Sequence, residues 1–240
     1  MQLSGKTILL TGGTDGIGRE LAAQLRAKGA TAIVTGRTPE RIEAAQAAGY
    51  EVIAADLSSQ EGVNAILSAV AGRDIDILIN NAGVGSDHDF RVEAPDLNDN
   101  DRCIHSNLNA PIHLIAGLMD SLKARPEAMI VNVTSGLAIA PRAGGPIYCA
   151  TKAGLRSYTL ALRAQLAATR IHVLEVLPPV VDTKMTAGRG SKKLSPQDCA
   201  AQIVDAMEKN AHEANVGMTK LLRIVESLSP ALARKIMIRF

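Results

Sequence analysis

Short apolar runs alternate with longer amphipathic stretches along this chain. Residues 6–10, 31–35, 52–55, 75–79, 129–134 and 171–177 are runs rich in Ile, Val, Leu and Ala. Short continuous apolar runs predict buried strands. Between them, 19–28 carries Leu21 and Leu25 on one face and stops at Gly29, which predicts a helix. Thr38-Pro39 opens a second helix that Gly49 closes, and Ser58-x-x-Glu61 reads as a capping box opening a third, to Val70. Residues 87–101 are polar and irregular and predict a loop at the rim. A stripe of Ile104, Leu108, Ile112, Ile115, Met119 and Leu122 then predicts a long helix to about Ala124, with Asn107 and Asn109 inside it. Asparagine is a poor helix former, so these two are either exposed or placed for a reason. A helix from Tyr148 continues through Leu155, Leu162 and Leu166. Ser195-Pro196 with Asp198 caps one to Lys209, 215–218 fits a short seventh strand, and two apolar helical pieces meet at Ser229-Pro230.

Composition narrows the class. With 240 residues, 47% hydrophobic and 2% aromatic, the chain suits one large domain with an aliphatic core of helices on a parallel sheet. A net charge of +2 argues against a nucleic-acid partner. Cys103, Cys149 and Cys199 are an odd, widely spaced set that fits neither a metal site nor a disulfide framework; a cytoplasmic location with buried small cysteines is expected. His105 and His113 have no partners at metal spacing. No apolar run is long enough to span a bilayer, and the N-terminus lacks a signal-peptide shape.

The chemistry begins after the first strand. Thr11-Gly12-Gly13-Thr14-Asp15-Gly16-Ile17-Gly18 lies between a strand and a helix. Glycines there let the backbone approach a pyrophosphate, and the helix N-terminus offers free N–H groups. About 20 residues past such a loop an acidic residue would bind a ribose 2′-hydroxyl. This chain has Gly36-Arg37 instead, and a guanidinium suits a 2′-phosphate, although Asp15 is a poor neighbour for one. Asp56, before Leu57, can accept from an adenine amine or simply cap a turn. Asn80-Asn81-Ala82-Gly83 ends a strand in small residues against which a cofactor can lie. Tyr148-x-x-x-Lys152 stacks a phenol and an ammonium on one helix face. A nearby positive charge lowers a phenol's pKa and fits it for proton transfer. Ser135, at the end of the 129–134 run, can hold the same substrate oxygen.

In order along the chain, Thr11-Gly12-x-x-x-Gly16-Ile17-Gly18, Asp56, Asn80-Asn81-Ala82-Gly83, Asn107, and Ser135 with Tyr148-x-x-x-Lys152 make the chain resemble the short-chain dehydrogenase/reductase family over roughly residues 6–183. The resemblance implies a Rossmann-like, doubly wound α/β fold: a parallel sheet of about seven strands with helices on both faces. It implies one NAD(P)-binding domain over 1–240, with 184–240 supplying a substrate-side loop and C-terminal helices. It makes Tyr148 the acid/base, has Ser135 orient the substrate oxygen, gives Lys152 the nicotinamide ribose as well as Tyr148, and has Asn107 position a water in a proton relay. It assigns cofactor contacts to Gly12, Thr14, Asp15, Gly16, Ile17, Gly18, Arg37, Asp56, Leu57, Asn81, Ala82, Gly83, Tyr148, Lys152, Pro178, Val181 and Thr183. Pro179 departs from the family's glycine, and because proline fixes φ near −65° the turn there must differ if the family's needs a positive φ. NADP(H) is expected over NAD(H), with a small alcohol or carbonyl substrate and a homodimer or homotetramer packed through the two long helices. The alternative is a catalytically silent dinucleotide-binding regulator on the same fold.

Substrate identity would rest on 86–91, 137–145 and 184–193, where Arg189, Lys192 and Lys193 are the only cationic cluster. The stretch 219–240 is apolar and basic: Lys220, Arg223, Arg234, Lys235 and Arg239 against Glu226 give +4. Its apolar residues run from Leu221 to Phe240. Packing on the protein's own core is the first expectation for it, a cover on the substrate side or a subunit contact the second, and contact with an anionic membrane surface the third.

Overall fold

The computed structural model describes residues 1–188, 190 and 192–239; Arg189 of the cationic cluster and Phe240 of the tail lie outside the described residues. Seven parallel strands form one sheet: β1 (Thr7–Leu10), β2 (Thr31–Gly36), β3 (Glu51–Ala54), β4 (Ile77–Asn80), β5 (Ala128–Val133), β6 (Ile171–Leu177) and β7 (Glu213–Asn215), in the order β3-β2-β1-β4-β5-β6-β7. Between and after the strands lie α1 (Gly16–Ala27), α2 (Pro39–Ala47), α3 (Gln60–Ala69), α4 (Leu97–Ile104), α5 (Ala110–Ala124), α6 (Pro146–Gln165), α7 (Pro196–Glu208), α8 (Thr219–Leu228) and α9 (Pro230–Met237). The expected doubly wound sheet is present. Alternate strand residues feed two apolar layers. Ile8, Leu10, Ile79, Val131 and Val176 pack with Leu21 and Leu25 of α1 and Ile203 of α7. Leu9, Leu78, Ile130 and Val173 pack with Val63 of α3, Leu114 of α5 and Leu162 of α6. Strand order reverses at β1, which pairs with both β2 and β4. That reversal opens a crevice at the carboxyl ends of the strands, where ligands of such sheets bind.

Several local expectations are corrected. Helix α1 starts at Gly16 rather than Arg19, so the last glycines of the loop already belong to its first turn. Ser59, not Ser58, is the cap residue of α3, and its side chain makes no cap hydrogen bond; the Ser58 amide donates to Asp56 Oδ1 instead, at 3.0 Å. The polar stretch 87–101 is not all loop. Asp96 accepts from Asn98 N and caps α4, and local capping overrides a sequence poor in helix formers. The long helix expected after it is broken by a π-helical turn at His105–Asn109. The seventh strand lies earlier than 215–218, at Glu213–Asn215, because Gly217 turns the chain at φ +52°.

Candidate functional site

The crevice contains a cavity of about 520 Å³ at the switch point. One end of it is set by the 11–18 loop. Gly12 N donates to Thr35 Oγ1 at 3.1 Å and Gly13 N to Thr35 O at 3.0 Å, so β2 holds the loop. Thr11 Oγ1 accepts from both Asn81 N and Ala82 N at 3.0 Å, and Asn81 Nδ2 returns a bond to Thr11 O at 2.9 Å. A Cβ at Gly18 would stand 2.1 Å from Gly12 O, so only glycine lets α1 begin this close to the loop. The first turn of α1 receives no side-chain cap, which leaves its N–H groups directed at the cavity.

Charge is arranged in two pairs at the far end. Arg37 Nη1 lies 3.4 Å from Asp56 Oδ1, and Arg41 Nη1 lies 2.7 Å from Asp15 Oδ2. Burial opposes ionisation of Asp56, but the Ser58 hydrogen bonds and the Arg37 charge outweigh it and hold the carboxyl below its ordinary value. Arg41 was not singled out from the sequence. Its signal was available, since it sits in the first turn of α2, four residues after Arg37. It offsets the carboxylate of Asp15 that looked hostile to a phosphate.

At the other end, α6 lines the cavity with Tyr148 and Lys152. The ammonium of Lys152 is buried, donates to Val133 O at 2.8 Å and stands 5.8 Å from the centre of the Tyr148 ring. Burial pushes its pKa down to about 8. Ser135 starts the short turn Gly136–Ala138; its Oγ accepts from Leu137 N at 3.0 Å. Asn107 is fully buried within the π-helical turn. Its carboxamide accepts from Val84 N and donates to Val84 O, both at 2.9 Å, and donates to Thr151 Oγ1 at 3.2 Å. A Cβ on Gly83 would come within 3.1 Å of that carboxamide and 3.5 Å of Lys152 Nζ. Asn107 is thus a brace behind Gly83 and Val84, and it is the one expected site residue outside the cavity lining.

All the other expected residues line the same cavity: Gly12, Thr14, Asp15, Gly16, Ile17, Gly18, Arg37, Asp56, Leu57, Asn81, Ala82, Gly83, Ser135, Tyr148, Lys152, Pro178, Val181 and Thr183. With Pro179 in the turn, Pro178, Val181 and Thr183 still line the cavity. It packs near Gly217, Val181 bridges to Leu194, and Thr183 reaches the glycine loop, its methyl 3.1 Å from where a Gly16 Cβ would lie. Thr35, Thr38, Val84 and Met185 also line the space without having been expected.

The rim comes from three segments. Arg142 is ion-paired with Asp87, joining the loops after β4 and β5. Ala143 N donates to Ile238 O at 3.2 Å, which brings the C-terminal helices to the same place. In α8, Leu222 packs towards Gly136, and in α9 Ala233 is buried. Leu221, Ile224, Leu228, Leu232, Ile236 and Ile238 face outward. Core packing therefore describes only one face of this tail. Lys193 is held by Thr186 O at 2.7 Å and Asp182 at 3.3 Å.

A nucleotide-sized crevice with a glycine-rich floor at one end and a serine–tyrosine–lysine set at the other has known counterparts. The family model described as short chain dehydrogenase matches residues 6–194. The chain belongs to the short-chain dehydrogenase family. It is an oxidoreductase of that NAD(P)-dependent family, acting on CH–OH groups. It is 34% identical to the uncharacterized oxidoreductase DltE of Bacillus subtilis (strain 168) over 223 residues, 89% of this chain and 88% of that protein. It is 32% identical to serine 3-dehydrogenase of Rhizobium radiobacter over 188 residues, 76% and 75% of the two chains. Among solved structures, a short chain dehydrogenase from Burkholderia cenocepacia J2315 in complex with NADP superposes with a TM-score of 0.88 at 25% identity, covering 100% of both chains.

Proposed function

We propose that this short-chain dehydrogenase interconverts an alcohol and a carbonyl compound with NADP(H). The observation that carries the reading is the shared cavity. The uncapped N-terminus of α1 and two guanidinium groups lie in the same space as Ser135, Tyr148 and Lys152. The residues fit a phosphorylated dinucleotide. The α1 amides would take its pyrophosphate, and Asn81, Ala82 and Gly83 would lie along it. Lys152 would meet the nicotinamide ribose, with Pro178, Val181 and Thr183 at the carboxamide. Once bound, the cofactor supplies or accepts hydride; the protein contributes placement and electrostatics.

In the carbonyl-reducing direction, Ser135 donates a hydrogen bond to the substrate oxygen, and the Tyr148 phenol gives that oxygen its proton. Lys152, fixed on Val133 O, keeps positive charge beside the phenol and favours its loss of the proton. Asn107 holds the backbone at Val84 and Gly83, so that Lys152 has room. Arg37 and Arg41 favour NADP(H) over NAD(H): swinging from Asp56, Arg37 can face a 2′-phosphate, while Arg41 neutralises Asp15. The solved relative with NADP bound supports that preference, while a 3-ketoacyl-(acyl-carrier-protein) reductase from Brucella melitensis, 26% identical, was crystallised with NADH. The substrate is a small molecule entering between 84–96, 138–145, 184–186 and the C-terminal helices α8 and α9. A homodimer or homotetramer through α5 and α6 fits the exposed Leu160 on α6. The three free, buried cysteines fit a reducing cytoplasm. The test is NADPH oxidation against a panel of ketones, aldehydes, 3-keto acids and quinones. Turnover with at least one carbonyl is expected, and none with any of them, from a protein that still binds NADPH, sinks the reading.

A further inference from the structure

Four aligned positions on neighbouring strands are polar. Asn80 on β4 stands beside Asn132 on β5, Asn132 beside Glu175 on β6, and Glu175 beside Glu213 on β7. Two residues earlier the same face carries Leu78, Ile130 and Val173, which pack with the helices of that side. The row therefore interrupts an apolar layer. Asn80 Nδ2 donates to Asn132 Oδ1, and Asn132 Nδ2 to Thr159 Oγ1 of α6, both at 2.9 Å. Glu175 is 0% exposed; it accepts from Thr134 Oγ1 at 2.8 Å and is ion-paired with Arg156 of α6. Arg156 Nη2 also reaches Glu213 Oε1 at 3.1 Å, and Glu213 meets Arg223 of α8 at 3.4 Å.

A buried carboxylate is costly unless it is paired and hydrogen-bonded. Burial raises the Glu175 carboxyl above its ordinary value, with Thr134 and Arg156 opposing the rise. Apolar side chains could fill this layer without that cost. What a charged pair adds is a fixed register between the two elements it joins. Tyr148, Lys152 and Arg156 are spaced i, i+4, i+8 and share one face of α6. Arg156 thus lies one turn beyond Lys152, and its partner Glu175 also holds Thr134, the residue before Ser135. One carboxylate ties the helix that carries the phenol to the strand end that carries the serine. The Lys152 ammonium is anchored on β5 through Val133 O, and Tyr148 and Lys152 are both carried by α6. Any axial slip of α6 changes both the Tyr148–Ser135 gap and the Tyr148–Lys152 gap.

We propose that Arg156, clamped by Glu175 and Glu213, is a positioning residue that sets the height of α6 and so places Tyr148 against Ser135 and Lys152. The proposal rests on the oxidoreductase reading, in which those three act on the substrate oxygen. The charged groups around Glu175 are Arg156 and Arg163 of α6 and Glu213 of β7, with Arg223 of α8 beyond Glu213.

The test compares Arg156→Met, Arg156→Lys and the double variant Arg156→Met/Glu175→Gln, which buries no orphaned carboxylate and carries the test if Arg156→Met alone does not fold. A misplacement of about 1 Å costs on the order of 100-fold in turnover. The expectation is that loss of kcat in Arg156→Met and in the double variant. Arg156→Lys, which keeps one charged contact, should recover part of it. The Kd for NADPH should stay within about twofold in all three, since the glycine loop and Arg37 lie across the sheet from Arg156. A second readout needs no turnover. Ultraviolet titration, with Tyr148→Phe as the subtraction standard, should show the Tyr148 phenol titrating at higher pH in Arg156→Met as it leaves the ammonium. Unchanged kcat with an unchanged phenol titration overturns the proposal, as does NADPH affinity falling in step with kcat. If the wild type turns over no carbonyl, the oxidoreductase reading fails by itself, and the phenol titration still decides whether Arg156 sets the helix.

Discussion

The floor of the crevice and its rim face the same space but are built differently. The floor is the strand ends and the helix turns beside them, held by hydrogen bonds between side chain and backbone: Thr11 with Asn81, Lys152 with Val133, and Ser135 with Leu137. The rim is 84–96, 138–145, 184–186 and 219–239. Among the described residues, every large apolar side chain that is exposed belongs to a segment after β4, β6 or β7, apart from Leu160. Phe90 is 73% exposed, Val92 80% and Leu228 82%. The side chains of the floor are held before any ligand arrives, because Thr11, Asn81, Ser135 and Lys152 are each hydrogen-bonded to nearby backbone, while the first amides of α1 are left for a ligand. The rim leaves apolar surface uncovered, and its links are ion pairs such as Arg142–Asp87 and single bonds such as Ala143 N to Ile238 O. Chemistry shared across a family can be stored in the first kind of construction. Under the proposed reading, choice of substrate falls to the second, where one loop can change without disturbing the sheet.

On that contrast, changes at the floor alter rate and cofactor choice, and changes at the rim do neither strongly. The sharpest case is Tyr148→Phe, which removes one oxygen. Turnover should fall by about 10²–10⁴-fold, while fluorescence titration finds NADPH binding unchanged. A mutant with comparable turnover breaks the assignment of the floor.

Next in size is Arg37→Ala. A charged, bidentate contact is worth roughly 1.5–3 kcal/mol, so NADPH affinity should drop by about tenfold to a hundredfold and NADH affinity hardly move. Equal affinities for the two cofactors in the wild type would make Arg37 only a partner of Asp56.

Lys152→Met separates the floor's stability from its function. The folded-state pKa of about 8 lies below the ordinary 10.5, so the unfolded chain binds more protons between those values. Burial of this ammonium therefore costs stability fully below about pH 8, and the cost fades as pH rises towards 10.5. Cofactor-free Lys152→Met should be more stable than wild type at pH 7 by about 1–3 kcal/mol, with turnover lost, and the gain should shrink in melts at pH 10. A variant less stable at pH 7 would mean that the bond to Val133 O outweighs the burial cost.

The smallest effect belongs to the rim. Leu228→Ser should leave thermal stability within about 0.5 kcal/mol and the NADPH Kd unaltered. A marked loss of stability would show that the outer face of α8 is covered in solution, and would shift the comparison towards a subunit contact.

What the sequence decided by itself was whatever depends on near neighbours in the chain. Strand and helix order followed from apolar runs and their punctuation, since burial on both faces of a parallel strand leaves a continuous run. Glycine spacing marked one end of the cavity because close backbone approach admits no side chain, and Tyr148 with Lys152 was visible because four residues make about one helical turn. Contacts between distant residues were beyond its reach. Asp15 looked misplaced beside a 2′-phosphate until α2 brought Arg41 against it. Asn107 looked like a weak helix position until the π-helical turn aimed it at Val84. Nothing local joined Glu175 to Arg156, because their meeting depends on how α6 lies across β6. Sequence pattern reports which residues share a face; which charges neutralise one another across elements is a property of packing, and only the tertiary structure decided it.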